Sequence, residues 1–395
     1  MVLTPEEFVN TYYVERRGTD SLKWDALQER FGDPDLISMW VADMEFRVPE
    51  CVTEALVRRV EHGVFGYSFV PDSYYDAVIG WERAHHGYDV RREWIRISPG
   101  VVSALYWMVN MFTEPGDAVA ILAPVYYPFH NAVKDSGRRL VTCDLTYEAG
   151  RFGIDLAAFE RAVVENRVKL HIMCSPHNPA GRVWTERELE GVLEVCRRHG
   201  VLVISDEIHQ DLTFDGHRHL PAATVAGGRY SGDIITCFAA SKAFNLAGCL
   251  TSTIVIEDET LRRKWDEFTN VYHNVEVNTL GLTAVEAALR GGEAWYEGLR
   301  GVLWQNYQTV VGALAEFPDV HVAPLEATYL VFVDLRSRVP VERTHDFVQG
   351  ACRLAVDYGE WFGEHWAGCI RLNMATHPRI VREAVGNLVR GLRSL

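Results

Sequence analysis

From about residue 95, short apolar runs alternate with amphipathic stretches. The runs AVAILA (118–123), RLVTCDL (139–145), KLHIMCS (169–175), VLVISD (201–206) and IITCFAA (234–240) are rich in β-branched residues and lack clean polar alternation. Such runs suit strands covered on both faces, as in a parallel sheet between helices. The stretches 101–113, 126–136, 155–165 and 185–199 predict the helices. Strands alternating with helices imply an α/β domain with a mostly parallel sheet.

Past residue 280 the pattern changes. Two longer helical stretches (278–290 and 293–316) precede ATYLVFVDL (327–335), another helix, GCIRLN (368–373) and a closing helix at 379–394. This reads as a smaller α+β domain. The first 46 residues hold one short amphipathic stretch and SMWVADM, too little for a core of their own. The expected division is an arm (1–46) packing with the small domain, a large domain (47–283) and a small domain (284–395).

Composition narrows the function. A chain of 395 residues with 48% hydrophobic and 24% charged positions is ordinary globular composition. A net charge of −15 without a Lys/Arg-rich run argues against a nucleic-acid partner. The N-terminal MVLTPEEFVN has neither a basic nor an apolar leader segment, and no uncharged apolar stretch approaches the ~20 residues of a membrane helix. The expectation is a cytoplasmic protein without a membrane partner. Eight cysteines without a C-x-x-C pair are expected to be reduced and buried, with no metal site. Only five residues are lysine (23, 134, 169, 242 and 264), so chemistry that needs a lysine has few candidates.

Several candidates end apolar strands, where parallel sheets form their ligand crevice. Asp206 in SDEIHQD (205–211) follows one strand, and reads either as a helix cap or as a carboxylate meeting a cation. Lys242 in SKAFNLAG (241–248) follows the next. A lysine desolvated there loses basicity and becomes a nucleophile able to capture a carbonyl; at the surface it would only snorkel. Asn178 in SPHNPAGRV (175–183) lies in a turn after a third strand. SPGVVSAL (98–105) is a Pro-Gly turn opening a helix whose free N–H groups favour a phosphate. Arg371 alternates with Ile370 and Leu372, which points it away from the apolar side, and reads either as an exposed residue or as a fork that meets a carboxylate.

In chain order these are a phosphate-type turn, the aromatic pair of APVYYPF (123–129), Asn178, Asp206, Lys242 and Arg371, with 28 residues from Asn178 to Asp206 and 36 from Asp206 to Lys242. The constellation resembles the fold-type I, class I/II pyridoxal-phosphate aminotransferase family. RRGTDSLKWD (16–25), MWVADMEF (39–46), HGVFGYS (62–68), ATYLVFVDLR (327–336) and IRLN extend the likeness over nearly the whole chain. They resemble its cystathionine β-lyase, or C–S lyase, branch (the MalY/PatB group). His209, where ordinary transaminases carry Tyr, fits that branch.

The resemblance implies pyridoxal 5'-phosphate bound covalently by Lys242, which would then move the Cα proton of the substrate. Asp206 would pair with the ring nitrogen, Asn178 with the ring oxygen beside His209, and Tyr126 would stack on the ring. The Val101 and Val102 amides and Ser241 would hold the phosphate, joined by Tyr67 from a second subunit of a homodimer. Arg371, helped by the backbone at Ala42, would clamp the substrate carboxylate. Departures are Ala239 for a phosphate-binding hydroxyl, Ala180 in NPAG, and Leu250 where transaminases carry an arginine. Tyr12, Tyr13, Trp40, Tyr126 and Trp361 are candidates to line a thioether pocket. The implied activity is β-elimination on cystathionine or another L-cysteine S-conjugate. The alternatives are a specialised antibiotic-pathway enzyme of lincosamide type acting on such a conjugate (C–S cleavage or decarboxylative oxidative deamination), and an aminotransferase. A regulatory role through a bound transcription activator, as in some members of the branch, is the reading from another class.

Overall fold

The computed structural model describes residues 2–272 and 276–395. Seven strands, β1 (Ile95–Ser98), β2 (Ala118–Ala123), β3 (Arg139–Asp144), β4 (Val168–Cys174), β5 (Leu202–Asp206), β6 (Ile234–Phe238) and β7 (Ser252–Ile256), form one sheet in the order β1-β7-β6-β5-β4-β2-β3. Neighbours from β6 to β3 are parallel, and β7 runs antiparallel to both β6 and β1. The five predicted strands agree with β2 to β6 within two residues at either end, and β1 and β7 are not among them.

β3, at the sheet edge, alternates exposed and buried positions, whereas the uniform apolarity of the inner strands has a direct cause. Along β2, Ala118, Ala120 and Leu122 join one core with Phe159, Leu189 and Val203. Val119 and Ile121 face the opposite core with Leu105, Met108 and Phe129. β2, β4, β5 and β6 therefore each feed two cores, and each fully buried aliphatic side chain contributes about 1.5–3 kcal/mol.

The longer helices are α1 (Pro5–Tyr12), α2 (Glu50–Glu61), α3 (Asp72–His86), α4 (Val101–Phe112), α5 (Tyr127–Asp135), α6 (Leu156–Asn166), α7 (Glu186–Arg198), α8 (Glu259–Val271), α9 (Thr279–Gly291), α10 (Glu293–Leu314) and α11 (Pro378–Arg393). Local chemistry sets several starts: Asp155 caps α6, and Thr185 with Glu188 forms a capping box on α7. Gly281 of α9 lies against the Cys249 carbonyl and the Thr251 hydroxyl, so a Cβ there would collide with both.

A second sheet joins β8 (His321–Val322), β9 (Leu330–Asp334), β10 (Asp357–Tyr358) and β11 (Cys369–Asn373) in the antiparallel order β8-β9-β11-β10. The helix expected before β11 is instead a set of short turns, including a π-type turn at Asp346–Ala351. Phe8, Trp24, Leu27 and Leu36 share one core with Leu299, Val302, Leu330 and Leu388. Residues 273–275 of the expected large-domain range lie outside the described residues.

The polar exits of three strands meet because their ends are in register: Cys174 of β4 pairs with Asp206 of β5, and Asp206 with Cys237 of β6. Asn178, Asp206 and Lys242 follow or end these strands, at the place where ligands bind open α/β sheets.

Candidate active site

A cavity of about 260 Å³ opens at those strand ends. Its walls include Ala42, Val101, Val102, Tyr126, Asn178, Asp206, His209, Ser241 and Lys242, nine of the eleven site residues expected from sequence. The Lys242 Nζ donates to the Ala42 carbonyl at 2.8 Å. Burial lowers its pKa to about 8 and Arg371 adds to that, while Asp43 and Asp206 oppose it. Asp206 is pushed up to about 7, chiefly by burial, with the Ile208 N–H and Lys242 pulling back. Its Oδ1 accepts the Ile208 N–H at 3.1 Å. No helix directly follows Asp206, so the helix-cap reading does not hold: its Oδ1 takes the N–H of a turn, and Lys242 acts on it as the nearby cation.

His209 is buried, and burial beside Lys242 and Arg371 holds its ring well below the ordinary histidine range. The ring is therefore neutral, and its Nδ1 has no hydrogen-bond partner among the described residues. Tyr126 is raised by burial and stays a neutral phenol. At the other end of the cavity, α4 begins after Gly100 with no side chain capping its first N–H groups. Ser103, Ser241, Thr251 and Ser252 bring hydroxyl-bearing side chains to the same walls.

Arg371 and Tyr67 do not line this cavity. The alternation read for Arg371 holds, but its side of β11 is not solvent: the residue is 1% exposed. The face is closed by Asn178, whose Oδ1 accepts from Nη1 at 3.0 Å, by the Trp40 carbonyl, which accepts from Nη2 at 3.1 Å, and by the Phe362 ring. Nη2 also donates to Asp357, and Nε has no partner among the described residues. Tyr67 is 99% exposed and lies in a separate surface recess with Arg59 and Phe69, so a single chain does not bring it to the cavity.

Of the five aromatic candidates only Tyr126 lines the cavity. The others are held elsewhere by their own contacts. The Tyr12 hydroxyl donates to Glu50, Tyr13 packs edge-on to His377, the Trp40 indole donates to the Lys23 carbonyl, and Trp361 packs edge-on to Tyr358.

Sequence reasoning missed Asp357, which faces Arg371 because the two are register partners on β10 and β11; nothing in their 14-residue separation signals it. It missed Tyr329, whose hydroxyl shares the Ala42 carbonyl with Lys242 at 2.8 Å. Thr251 and Ser252 were findable, since they directly follow Leu250. Leu250 itself reaches the cavity. Among the described residues all eight cysteines are free, no group could hold a metal, and no helix is long and apolar enough to cross a membrane.

The arrangement fits pyridoxal phosphate. It offers an amine of lowered basicity, a buried carboxylate with one backbone donor, a neutral phenol, and uncapped helix N–H groups beside hydroxyl side chains. Comparison with known proteins agrees. Residues 35–388 match the family described as aminotransferase class I and II. The chain is 41% identical over 321 residues to cystathionine β-lyase PatB of Bacillus subtilis (strain 168), covering 81% of this chain and 83% of that protein. Cystalysin from Treponema denticola, which contains a pyridoxal 5'-phosphate cofactor, superposes with a TM-score of 0.92 at 30% identity, covering 96% and 98% of the two chains. The pyridoxal-phosphate-bound C–S lyase from Staphylococcus hominis superposes at 0.90 and 30% identity, covering 96% of each.

Proposed function

The chain belongs to the aminotransferase class I and II family, and on that premise we propose that it is a pyridoxal-phosphate-dependent C–S lyase. It takes L-cystathionine or another L-cysteine S-conjugate and, with water, yields a thiol, pyruvate and ammonia. The observation that carries this reading is the Lys242 amine, lowered to about 8, in one cavity with Asp206, Asn178 and Tyr126. Leu250 in the wall, where transaminases carry an arginine, supports elimination over transamination, as does the similarity to PatB.

The bound cofactor supplies a ring that accepts the electron pair left on the substrate Cα. The protein does the rest. Lys242 binds the cofactor and then carries the Cα proton; an amine near pH 8 is both base and acid close to neutrality. Asp206 holds the ring nitrogen, Asn178 and His209 the ring oxygen, and Tyr126 the ring face. The Val101 and Val102 amides and Ser241 hold the phosphate. Arg371 and the Ala42 backbone hold the substrate carboxylate.

Tyr67 serves the site of a second copy, so the working unit is a homodimer. The run of exposed apolar side chains Val57, Val60, Val64, Phe65, Tyr67 and Phe69 supports such a contact. Eight free thiols support a reducing compartment, the cytoplasm. Packing of Phe8, Trp24 and Leu27 with Leu299 and Leu388 supports an arm (1–46) on a small domain (284–395) beside a large one (47–283).

The test is product analysis by mass spectrometry with L-cystathionine and a panel of cysteine S-conjugates. Thiol and pyruvate in equal amounts, absent with Lys242→Ala, is the expected result. A keto acid that keeps its sulfur would mean transamination; carbon dioxide with an aldehyde would mean decarboxylative oxidation. Either overturns the lyase reading.

A further inference from the structure

The stretch Asp206–Asp211 has two sides. Asp206, Ile208 and His209 line the cavity. Glu207, Gln210 and Asp211 turn the other way and are buried, with 0%, 3% and 5% exposure. A buried polar side chain without a partner costs about 1–3 kcal/mol, so what meets these three determines where the stretch can sit.

Among the described residues, every hydrogen-bond partner of the Gln210 and Asp211 side chains comes from one helix. Asp211 Oδ1 accepts from the Trp81 indole at 2.8 Å and faces His86 Nε2 at 2.9 Å. The Gln210 amide donates to Glu82 Oε1 at 2.6 Å. Trp81, Glu82 and His86 all lie in the last two turns of α3. Glu207 is held from the other side by His219 at 2.7 Å, the Ser205 hydroxyl at 2.7 Å and the Ala222 N–H at 3.0 Å. The rings of His86 and His219 are 5.6 Å apart, which closes the circuit. Tyr296 of α10 adds a hydrogen bond to the Asp211 carbonyl. At the margin lie His85 with Glu293, and Tyr88 with Glu257.

We propose that Trp81, Glu82 and His86 of α3 are positioning residues that hold Asp206 and His209 against the cofactor by fixing Gln210 and Asp211 behind them. The proposal rests on the cofactor reading above. None of the three lines the cavity, so each acts through the stretch that does.

Charge within the network gives this role a pH signature. Burial pushes Glu82 up to about 8, with Asp211 and Glu207 adding to it and His86 opposing. Burial disfavours the His86 charge, but Asp211, Glu82 and Glu207 outweigh it and raise His86 to about 8. Below pH 8 the network holds a charged His86 against Asp211 beside a neutral Glu82. Above it, Glu82 ionises while His86 loses its charge, and two carboxylates are left facing each other behind Asp206.

The experiment compares wild type, His86→Gln, Glu82→Gln and Trp81→Phe, each checked for folding by circular dichroism. Pyridoxal phosphate is titrated into each from pH 6 to 9.5, followed by its visible absorption and induced dichroism, with kcat and KM for S-ethyl-L-cysteine measured alongside. His86→Gln is expected to weaken cofactor binding about tenfold and to lower kcat more than it raises KM, a size common for residues that orient a first contact. Glu82→Gln, which cannot ionise, is expected to move the upper pH limit of cofactor binding above that of wild type. Trp81→Phe, which keeps the ring and loses the indole donor, is expected to weaken binding less than His86→Gln. Folded variants whose cofactor affinity stays within twofold of wild type and whose pH limit does not move overturn the proposal alone. A wild type that takes up no pyridoxal phosphate overturns the cofactor reading, and this proposal with it.

Discussion

Replacing Arg371 by lysine keeps the charge and removes the fork. The guanidinium is held at three points: Asn178 at 3.0 Å, the Trp40 carbonyl at 3.1 Å, and Asp357. Its Nε is buried and has no partner among the described residues, so with three of the five N–H donors engaged, Nε–H and one Nη1–H remain for a carboxylate. A lysine presents a single ammonium and cannot span Asn178, Trp40, Asp357 and a substrate carboxylate at once. The loss is one charge-assisted hydrogen bond to substrate, about 1.5–3 kcal/mol. That corresponds to a fall in kcat/KM of roughly 10- to 150-fold. The assay is pyruvate release from S-ethyl-L-cysteine by the cofactor-loaded variant, with cofactor absorption and melting temperature as controls for site and fold. The expected pattern is a raised KM with the cofactor spectrum kept. A variant whose kcat/KM stays within twofold of wild type would refute the carboxylate role, and with it the argument from the Arg371 geometry.

Other consequences can be checked in the same preparations. Capture of pyridoxal phosphate by the apoprotein should speed up as pH rises through about 8, the value to which Lys242 is lowered, instead of near the 10.5 of a free lysine; stopped-flow absorbance at several pH values reads this directly. Lys23→Met should cost about 1–3 kcal/mol in urea unfolding, because Glu45, 1% exposed and paired with Lys23 at 3.0 Å, would keep only the Trp24 indole at 2.9 Å and the longer Arg16 contact at 3.9 Å. Glu82 is raised in the folded state from an ordinary 4.5 to about 8. Between those values the unfolded chain has lost a proton that the folded one keeps, so wild-type stability falls as pH rises. Relative to wild type, Glu82→Gln should therefore gain stability from pH 4.5 to 8 and level off above it, as read from melting temperatures. Mixing Lys242→Ala with Tyr67→Ala chains should restore about a quarter of wild-type lyase activity if the sites are shared, since only one site per heterodimer is then intact; no recovery would refute the shared site.

Sequence alone determined five of the sheet's seven strands and the order of the cavity's parts, and missed β1 and the antiparallel β7. Strands buried on both faces must be apolar throughout, so β2, β4, β5 and β6 announce themselves without reference to the rest of the chain. Function-bearing residues at strand ends stand out because a polar residue there interrupts that apolarity, as Asp206 and Lys242 do. Tertiary structure decided what local pattern does not encode. Arg371 alternates as though exposed, yet another layer covers its face and a register between β10 and β11 gives it Asp357. Tyr12, Tyr13, Trp40 and Trp361 share the composition of a pocket lining but are drawn into packing by residues elsewhere in the chain, Trp361 by Tyr127 as well as by nearby Tyr358. The support behind Asp206 needs α3 to lie against a turn some 120 residues further on. Periodicity reports which side of an element is apolar; what covers the other side depends on the whole fold.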